Sequence, residues 1–513
     1  MSYLSARMDK AWRQDGWWLS AVMVVWLLLF GLYWDYLVDD AYITFRYATH
    51  FAHGIGLVYN PNTVVDGYTS FLWTVLLGCV LFFVSEEHIL LVAKLLSFAF
   101  GLLSLFGVYR LSLAAPQTPP WRWMAVALTA LSPAFVISSA DGLETPLYTY
   151  IQLTFVIHWL KDVERGSASA ASGMWGALLA LTRPDGILLV ALTTVLFVVL
   201  HTGKRVGLKS WLPFVLVWLA IYLPYFVWHL AYYGHPFPNT FYAKMGGEWR
   251  LFVQGLHRLG RWTEELGSVV SMVFVLYVLI KSPCAYTRVM TAVIVSRVLL
   301  VLWSGGEVMG HHRFLAPAVP AYWLLFQLGF SKWLVCLGTQ RGLMPRVLIV
   351  LLPLLCIFLF AKLLDTLPRC RQYADGLQRA HVTLGKWIHS NTSRQTVIAV
   401  GDAGAIPFYA RRHTIDIMGL NDPHIARLKG RLGSKIDVGY ILSQKPDLLI
   451  LLSEYPPSLP FRGLTPIDQA LYDAPEVRKD FRLLHFYRFG EGYFLWVLAH
   501  KETECLTAAS GQF

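Results

Sequence analysis

The sequence predicts a polytopic α-helical membrane protein of about eleven transmembrane helices. A periplasmic first loop carrying interfacial helices and a C-terminal soluble α/β domain complete the predicted fold. Three observations lead there. Of 513 residues, 56% are hydrophobic and only 15% charged, with 20 Trp, a balance no water-soluble domain of this size needs. Apolar runs approaching the ~20 residues that cross a bilayer recur as far as residue 363. From residue 364 they give way to polar helical sequence and short apolar strands.

The predicted spans are 17–37, 88–110, 123–139, 146–160, 171–183, 186–201, 211–231, 268–281, 287–303, 314–331 and 345–363. Several are shorter than a full crossing, so their ends carry a tolerance of a few residues. Lys and Arg set the orientation. Arg7, Lys10 and Arg13, Arg110 and Arg122, Lys161 and Arg165, Lys204, Arg205 and Lys209, Lys281 and Arg288, and Lys332, Arg341 and Arg346 all fall on one side, the cytoplasmic one. The net charge of +11 therefore reports orientation and not nucleic-acid binding. Residues 2–15 are too polar for a signal peptide, so the first span is read as an uncleaved anchor.

Residues 70–84 are apolar but only 15 long, follow a Thr69-Ser70 helix-start signal and end at Glu86-Glu87-His88. Counting them as a span would reverse the sidedness of every later loop, so they are read as a helix in the outer interface. The unusual loops, 39–87, 140–145, 183–185, 232–267 and 304–313, then all face outward. An odd number of spans places the second domain, 364–513, outside as well, after a transmembrane module of 1–363. In that domain 371–391 reads as a helix, and 396–402, 446–451, 482–489 and 493–499 as strands. Asp402, Asp416 and Asp422 sit near turns and suit turn or cap roles. Cys79, Cys284, Cys336 and Cys356 suit apolar packing, whereas Cys370 and Cys505 share the outer domain, where a disulfide is permitted. No metal-ligand spacing is present, and no metal or cofactor is expected.

The chemistry-bearing candidates begin at Asp39-Asp40, where the first span ends. Carboxylates at a membrane face either flank a span as solvated charges or line a cavity and do chemistry. The pair opens a loop that runs Asp39-Asp40-Ala41-Tyr42-Ile43-Thr44-Phe45-Arg46-Tyr47-Ala48 and continues to Asp66-Gly67-Tyr68-Thr69-Ser70. With Gly142-Leu143-Glu144-Thr145-Pro146-Leu147-Tyr148, Thr182-Arg183-Pro184-Asp185-Gly186, the run Pro236 to Lys244, and Gly305-Gly306-Glu307 to His312-Arg313-Phe314-Leu315, these segments resemble C-type glycosyltransferases. The likeness is to the mycobacterial terminal arabinofuranosyltransferases and covers most of 30–330. More distantly, the layout is similar to protein mannosyltransferases and lipid A aminoarabinose transferases.

The resemblance implies an inverting transferase of the bacterial inner membrane. It would take a sugar, arabinofuranose-like or another pentose or hexose, from a polyprenyl-phosphate donor. The acceptor would be an envelope glycan, lipid or protein on the periplasmic face. Asp39 is the expected base and Asp40 its partner, since two acids so close cannot both ionise freely. Arg313, Arg183, His312 and Lys244 are the expected contacts of the donor phosphate, with His311 beside them. Arg46, Tyr68, Glu144 and Tyr242 are expected on the substrate. Each has a plainer alternative: an interfacial anchor for Arg313 and Lys244, a helix-start acid for Glu144, an aromatic belt for the tyrosines. A transporter or flippase, or a non-catalytic partner in envelope assembly, is the competing function. A transporter should show mid-span charges and duplicated halves, and neither pattern stands out.

Overall fold

The computed structural model describes residues 2–116, 121–202, 207–246, 248–307, 311–337 and 343–503. Lys204, Arg205, Arg341 and Cys505, all named above, lie outside the described residues, as do the side chains of Arg7, Lys10, Arg13 and Arg346. The chain divides into two compact units. One comprises Met1–Asp35, Leu91–Val227 and Trp249–Pro368; the other comprises Tyr36–Leu90, Trp228–Glu248 and Arg369–Phe513. The sheet-bearing unit thus includes the first loop and part of a later one, in addition to the C-terminal segment.

The first unit is helical among its described residues. Each of the eleven expected spans overlaps a helix or a pair of helices. Among the described residues, five helices are long and apolar enough to cross a membrane, within Asp15–Leu32, Glu86–Ala114, Leu212–Tyr233, Ala285–Ser304 and Val350–Asn391. A sixth crossing results if Trp249–Glu265 and Val269–Lys281, bent by 97°, are one broken span. Other expected spans are too short or too broken to meet that length on their own. Ala170–Thr182 has 13 residues, which at about 1.5 Å each falls short of a ~30 Å hydrocarbon core. The span predicted at 123–139 is also two helices, Met124–Leu131 and Pro133–Ala140, broken where Ser132 takes the extended backbone demanded before proline.

Glycines mark where helices of this unit touch. A β-carbon on Gly329 would lie 2.0 Å from the Phe274 carbonyl, and one on Gly173 would lie 2.4 Å from the Phe214 carbonyl. Small residues at such points let backbones approach closely, the packing that apolar surroundings favour. Glu248–Glu265 falls in a stretch read from sequence only as loop. It is amphipathic, with Trp249, Phe252 and Leu256 exposed and Arg250, Arg258 and Arg261 among its polar residues.

The second unit is built on a five-stranded sheet, β1 Val397–Val400, β2 His413–Asp416, β3 Leu448–Ser453, β4 Phe481–Gly490 and β5 Tyr493–His500, in the order β2-β1-β3-β5-β4. β1 pairs parallel with β2 and β3, while β5 runs antiparallel to both β3 and β4. Four of the five strands are where the sequence predicts them. β2 is missed because His413-Thr414-Ile415-Asp416 is too short to show a period. Ala399, Ile415, Leu449, Leu451, Phe461, Trp496 and Leu498 form the core of the sheet. The first loop contributes helices Asp39–Ala52 and Phe71–Leu81 to this unit. Phe71–Leu81 is the predicted short apolar helix, with Trp73 and Leu77 buried. Cys370 is buried, and Cys505, its permitted disulfide partner, lies outside the described residues.

Candidate active site

The acid pair begins helix Asp39–Ala52, where negative charge suits the helix N-terminus. Asp39 is buried and heavily engaged. Its Oδ1 accepts from the Ala405 backbone N–H at 2.8 Å and faces His381 Nδ1 at 3.1 Å. Its Oδ2 accepts from the Gly404 N–H at 2.9 Å, and its own backbone N–H donates to the Tyr373 hydroxyl at 3.2 Å. Gly404 has to be glycine for this approach, because a β-carbon there would stand 2.0 Å from the Asp39 carbonyl.

His381 bridges two carboxylates. Its Nε2 lies 3.2 Å from Asp402 Oδ2, a charge contact not aligned as a hydrogen bond, and Tyr493 donates its hydroxyl to the same Asp402 oxygen. The residue is only 1% exposed, and Phe489 packs on the ring at a centroid distance of 5.0 Å. Burial by itself would push the imidazole down. The hydrogen bond and charge of Asp39, together with Asp402, outweigh it and raise the ring to about 9, so it is an imidazolium at neutral pH. Burial likewise opposes Asp402, yet His381 holds that carboxyl below its ordinary range. Asp402, expected in a turn, is therefore part of this cluster, whereas Asp416 and Asp422 do hold turns: Asp416 accepts from Met418, Gly419 and Asn421, and Asp422 caps helix Pro423–Ala426.

Asp40 is different. It is half-buried, and among the described residues its carboxylate makes no hydrogen bond or ion pair. The pair thus divides into an anchored acid and an open one.

In the first unit the residues around Arg313 gather cations. Glu307 accepts from the backbone N–H groups of Arg313 at 2.7 Å and Phe314 at 3.0 Å, which fixes the turn in which His312 takes a φ of 55°. The Arg313 guanidinium lies 5.2 Å from the Phe314 ring centre and makes no hydrogen bond or ion pair among the described residues. Its charge reaches Asp141, where burial raises the carboxyl to about 7 and Arg313 pulls against that rise. Arg258 packs on Gly306, where a β-carbon would come within 2.5 Å of its Cδ. His312 departs from expectation. Burial, aided by Arg258, His311 and Arg261, pushes it to about 4, so it is neutral near pH 7 and can offer a phosphate only a hydrogen bond. Arg258 and Arg261 were overlooked; their i, i+3 spacing was the available signal.

The structure gives the other predicted residues structural contacts. Arg183 donates to Glu144 at 2.7 Å and to Asp185 at 2.9 Å, and Asp185 also pairs with Arg297. Arg297 is fully buried inside a predicted span, so the sequence reading, which saw charges only at span ends, overlooked it. Both carboxylates serve this buried network. Arg46 spends its donors on the carbonyls of Tyr59, Pro407 and Arg412 and on Asn60 Oδ1. Expected on substrate, it staples the second unit through these four contacts. Tyr68 is buried against Tyr233, with 3.1 Å between hydroxyls, so it too is core. Tyr242 is half-buried under Arg427, 4.9 Å from its ring centre, and Lys244 is exposed at the end of helix Asn239–Lys244. Among the described residues no three His, Cys, Asp or Glu side chains are placed to hold a metal ion.

This arrangement belongs to a fold seen before. ArnT from Cupriavidus metallidurans bound to undecaprenyl phosphate superposes with a TM-score of 0.62 at 13% identity, covering 95% of this chain and 99% of that one. The apo state of the same protein gives 0.59 at 14% identity, covering 94% and 98%. The archaeal oligosaccharyltransferase AglB from Archaeoglobus fulgidus, in complex with an inhibitory peptide and a dolichol-phosphate, gives 0.51 at 11% identity, covering 85% of this chain and 69% of that one. The chain shares their fold. Residues 371–500 match a domain of unknown function, DUF8728. No curated protein sequence matches the chain significantly.

Proposed function

We propose that the chain is an inverting glycosyltransferase of the bacterial inner membrane. It moves a sugar, arabinofuranose-like or another pentose or hexose, from a polyprenyl-phosphate donor to a glycan, lipid or protein acceptor on the periplasmic face. The observation that carries this reading is the divided acid pair, in a fold shared with ArnT, which was solved with undecaprenyl phosphate, and AglB, solved with a dolichol-phosphate. The finer likeness to arabinofuranosyltransferases rests on the loop motifs alone.

The roles follow from each unit's own contacts. Asp40 is the base. Its carboxylate is free to take the acceptor hydroxyl proton as that oxygen attacks the anomeric carbon and the carbon–phosphate-oxygen bond breaks. Such assistance is worth about 10²–10⁴ in rate. Asp39, already serving two N–H groups and an imidazolium, is the anchor that places Asp40, an exchange of the roles expected from sequence. Arg313 is the cation for the departing phosphate, with Arg258 beside its turn and Lys244 a second candidate; its guanidinium fork suits phosphate oxygens. Purified protein given polyprenyl-phosphate arabinose or polyprenyl-phosphate mannose, plus an envelope glycan fraction, should release polyprenyl phosphate. No release from either donor, with Asp40→Asn indistinguishable from wild type, would count against the reading.

A further inference from the structure

The second unit holds a cavity of about 540 Å³ that the proposed chemistry does not use, within the ~300–1,000 Å³ of ordinary ligand sites. Seven of its sixteen lining residues are Arg or His, against two acids, Glu86 and Glu87. Arg411 pairs with Glu86, which neutralises one charge. The decisive feature lies deeper. Arg46 and Arg412 border the cavity and are only 5% and 4% exposed, yet neither has a carboxylate partner among the described residues. Arg412, like Arg46, donates only to neutral oxygens: the carbonyls of Ala410, Arg411, His389 and Thr392 and the Thr392 hydroxyl. Their hydrogens are satisfied, but their charges are not. A buried cation without a counter-charge is costly, and an anion in the adjoining space would offset that cost.

Neighbouring groups register the same field. His50 is pushed down to about 4 by burial and then by Arg46, and His413 is lowered by the same two causes. Arg394 lines the cavity, is exposed and makes no ion pair among the described residues. Thr49 Oγ1 is buried in the helix that borders the cavity and has no hydrogen-bond partner there. Phe408 and Tyr409 add half-buried aromatic rings of the kind on which a sugar face stacks.

We infer that this cavity binds an acidic sugar, one carrying a carboxylate or phosphate, through the field of Arg46 and Arg412 and direct contacts from Arg394 and His413. That the sugar belongs to the acceptor rests on the transferase reading; the binding itself does not. The test measures the thermal midpoint of the full-length protein in detergent with glucuronate, glucose 6-phosphate, glucose and inorganic phosphate. Stabilisation by ligand follows mass action, so a site with Kd near 1 mM shows a rising midpoint across the millimolar range. Glucuronate and glucose 6-phosphate should raise it and glucose should not. Arg394→Glu and His413→Glu should each reduce the response at least tenfold in apparent affinity, while Arg478→Glu, outside the cavity, leaves it unchanged. Asp40→Asn should bind normally, which separates this inference from the assignment of the base. An equal response to inorganic phosphate would overturn the sugar assignment. No response to either acidic sugar, or one untouched by Arg394→Glu and His413→Glu, would overturn the site.

Discussion

At Asp39 three donors meet one carboxylate, whereas at Asp40 none do, and the two replacements should separate accordingly. Asp40→Asn keeps size and removes basicity, so transfer should fall by about 10² or more with the thermal midpoint unchanged. Asp39→Ala strands the His381 charge and two N–H groups, so it should destabilise the protein by about 3–5 kcal/mol, measured by denaturation. His381 gives a pH test. Its folded value of about 9 stands above the ordinary 6.5, so its stabilisation is fully present below about pH 6.5 and is lost as pH rises through about 9. Groups facing it are Asp39, Asp402 and Tyr493, with Tyr373 and Asp40 nearby. The wild-type midpoint should decline across that window, and His381→Gln should start lower and lose that part of the slope. An identical slope in both proteins would remove His381 from the cluster. Arg313→Lys should keep the charge yet lose much of the activity, because lysine lacks the bidentate fork; an interfacial anchor would tolerate lysine. Of these groups, Asp39, Asp40 and Arg313 stood out in the sequence as candidates because they lie beside apolar runs. His381 was not: it meets Asp39 across 342 residues, and no local pattern encodes that contact.

Helices and strands were read well where hydrophobic period spoke and poorly where a single backbone requirement decided. Ser268–Lys281 matches its predicted span, and β3 to β5 fall where alternating or continuous apolar runs placed them. The turn from β1 into helix Ala405–Ala410, expected from sequence only as a turn or cap around Asp402, brings two N–H groups onto Asp39. Gly404→Ala should therefore act at a distance from any substrate. Its β-carbon cannot be accommodated without moving the Asp39 backbone, so both the thermal midpoint and transfer should fall. A fully active, equally stable Gly404→Ala protein would show that Asp39 needs no such support. Likewise Pro236 to Lys244, one of the segments that carry the family resemblance, holds the second unit together through Asn239, which donates to the carbonyls of Gly419, Leu420 and Asp422.

For the whole molecule, the membrane class is plain from composition, and the long apolar helices among the described residues agree with it. The number of crossings is harder to read, because many helices are shorter than a bilayer and, among the described residues, five or six meet the length and apolarity of a crossing. Sidedness is the further proposal. A phosphatase reporter active only outside the cytoplasm, fused at the C-terminal end, should be active; a stable but inactive fusion would reverse the orientation. If Asp40 drives sugar transfer onto an envelope component, mass analysis of envelope glycans from cells with the gene, without it, and with Asp40→Asn at matched protein level will show it. The deletion and Asp40→Asn should lack the same sugar residue. Glycans fully restored by Asp40→Asn would remove Asp40 from the chemistry.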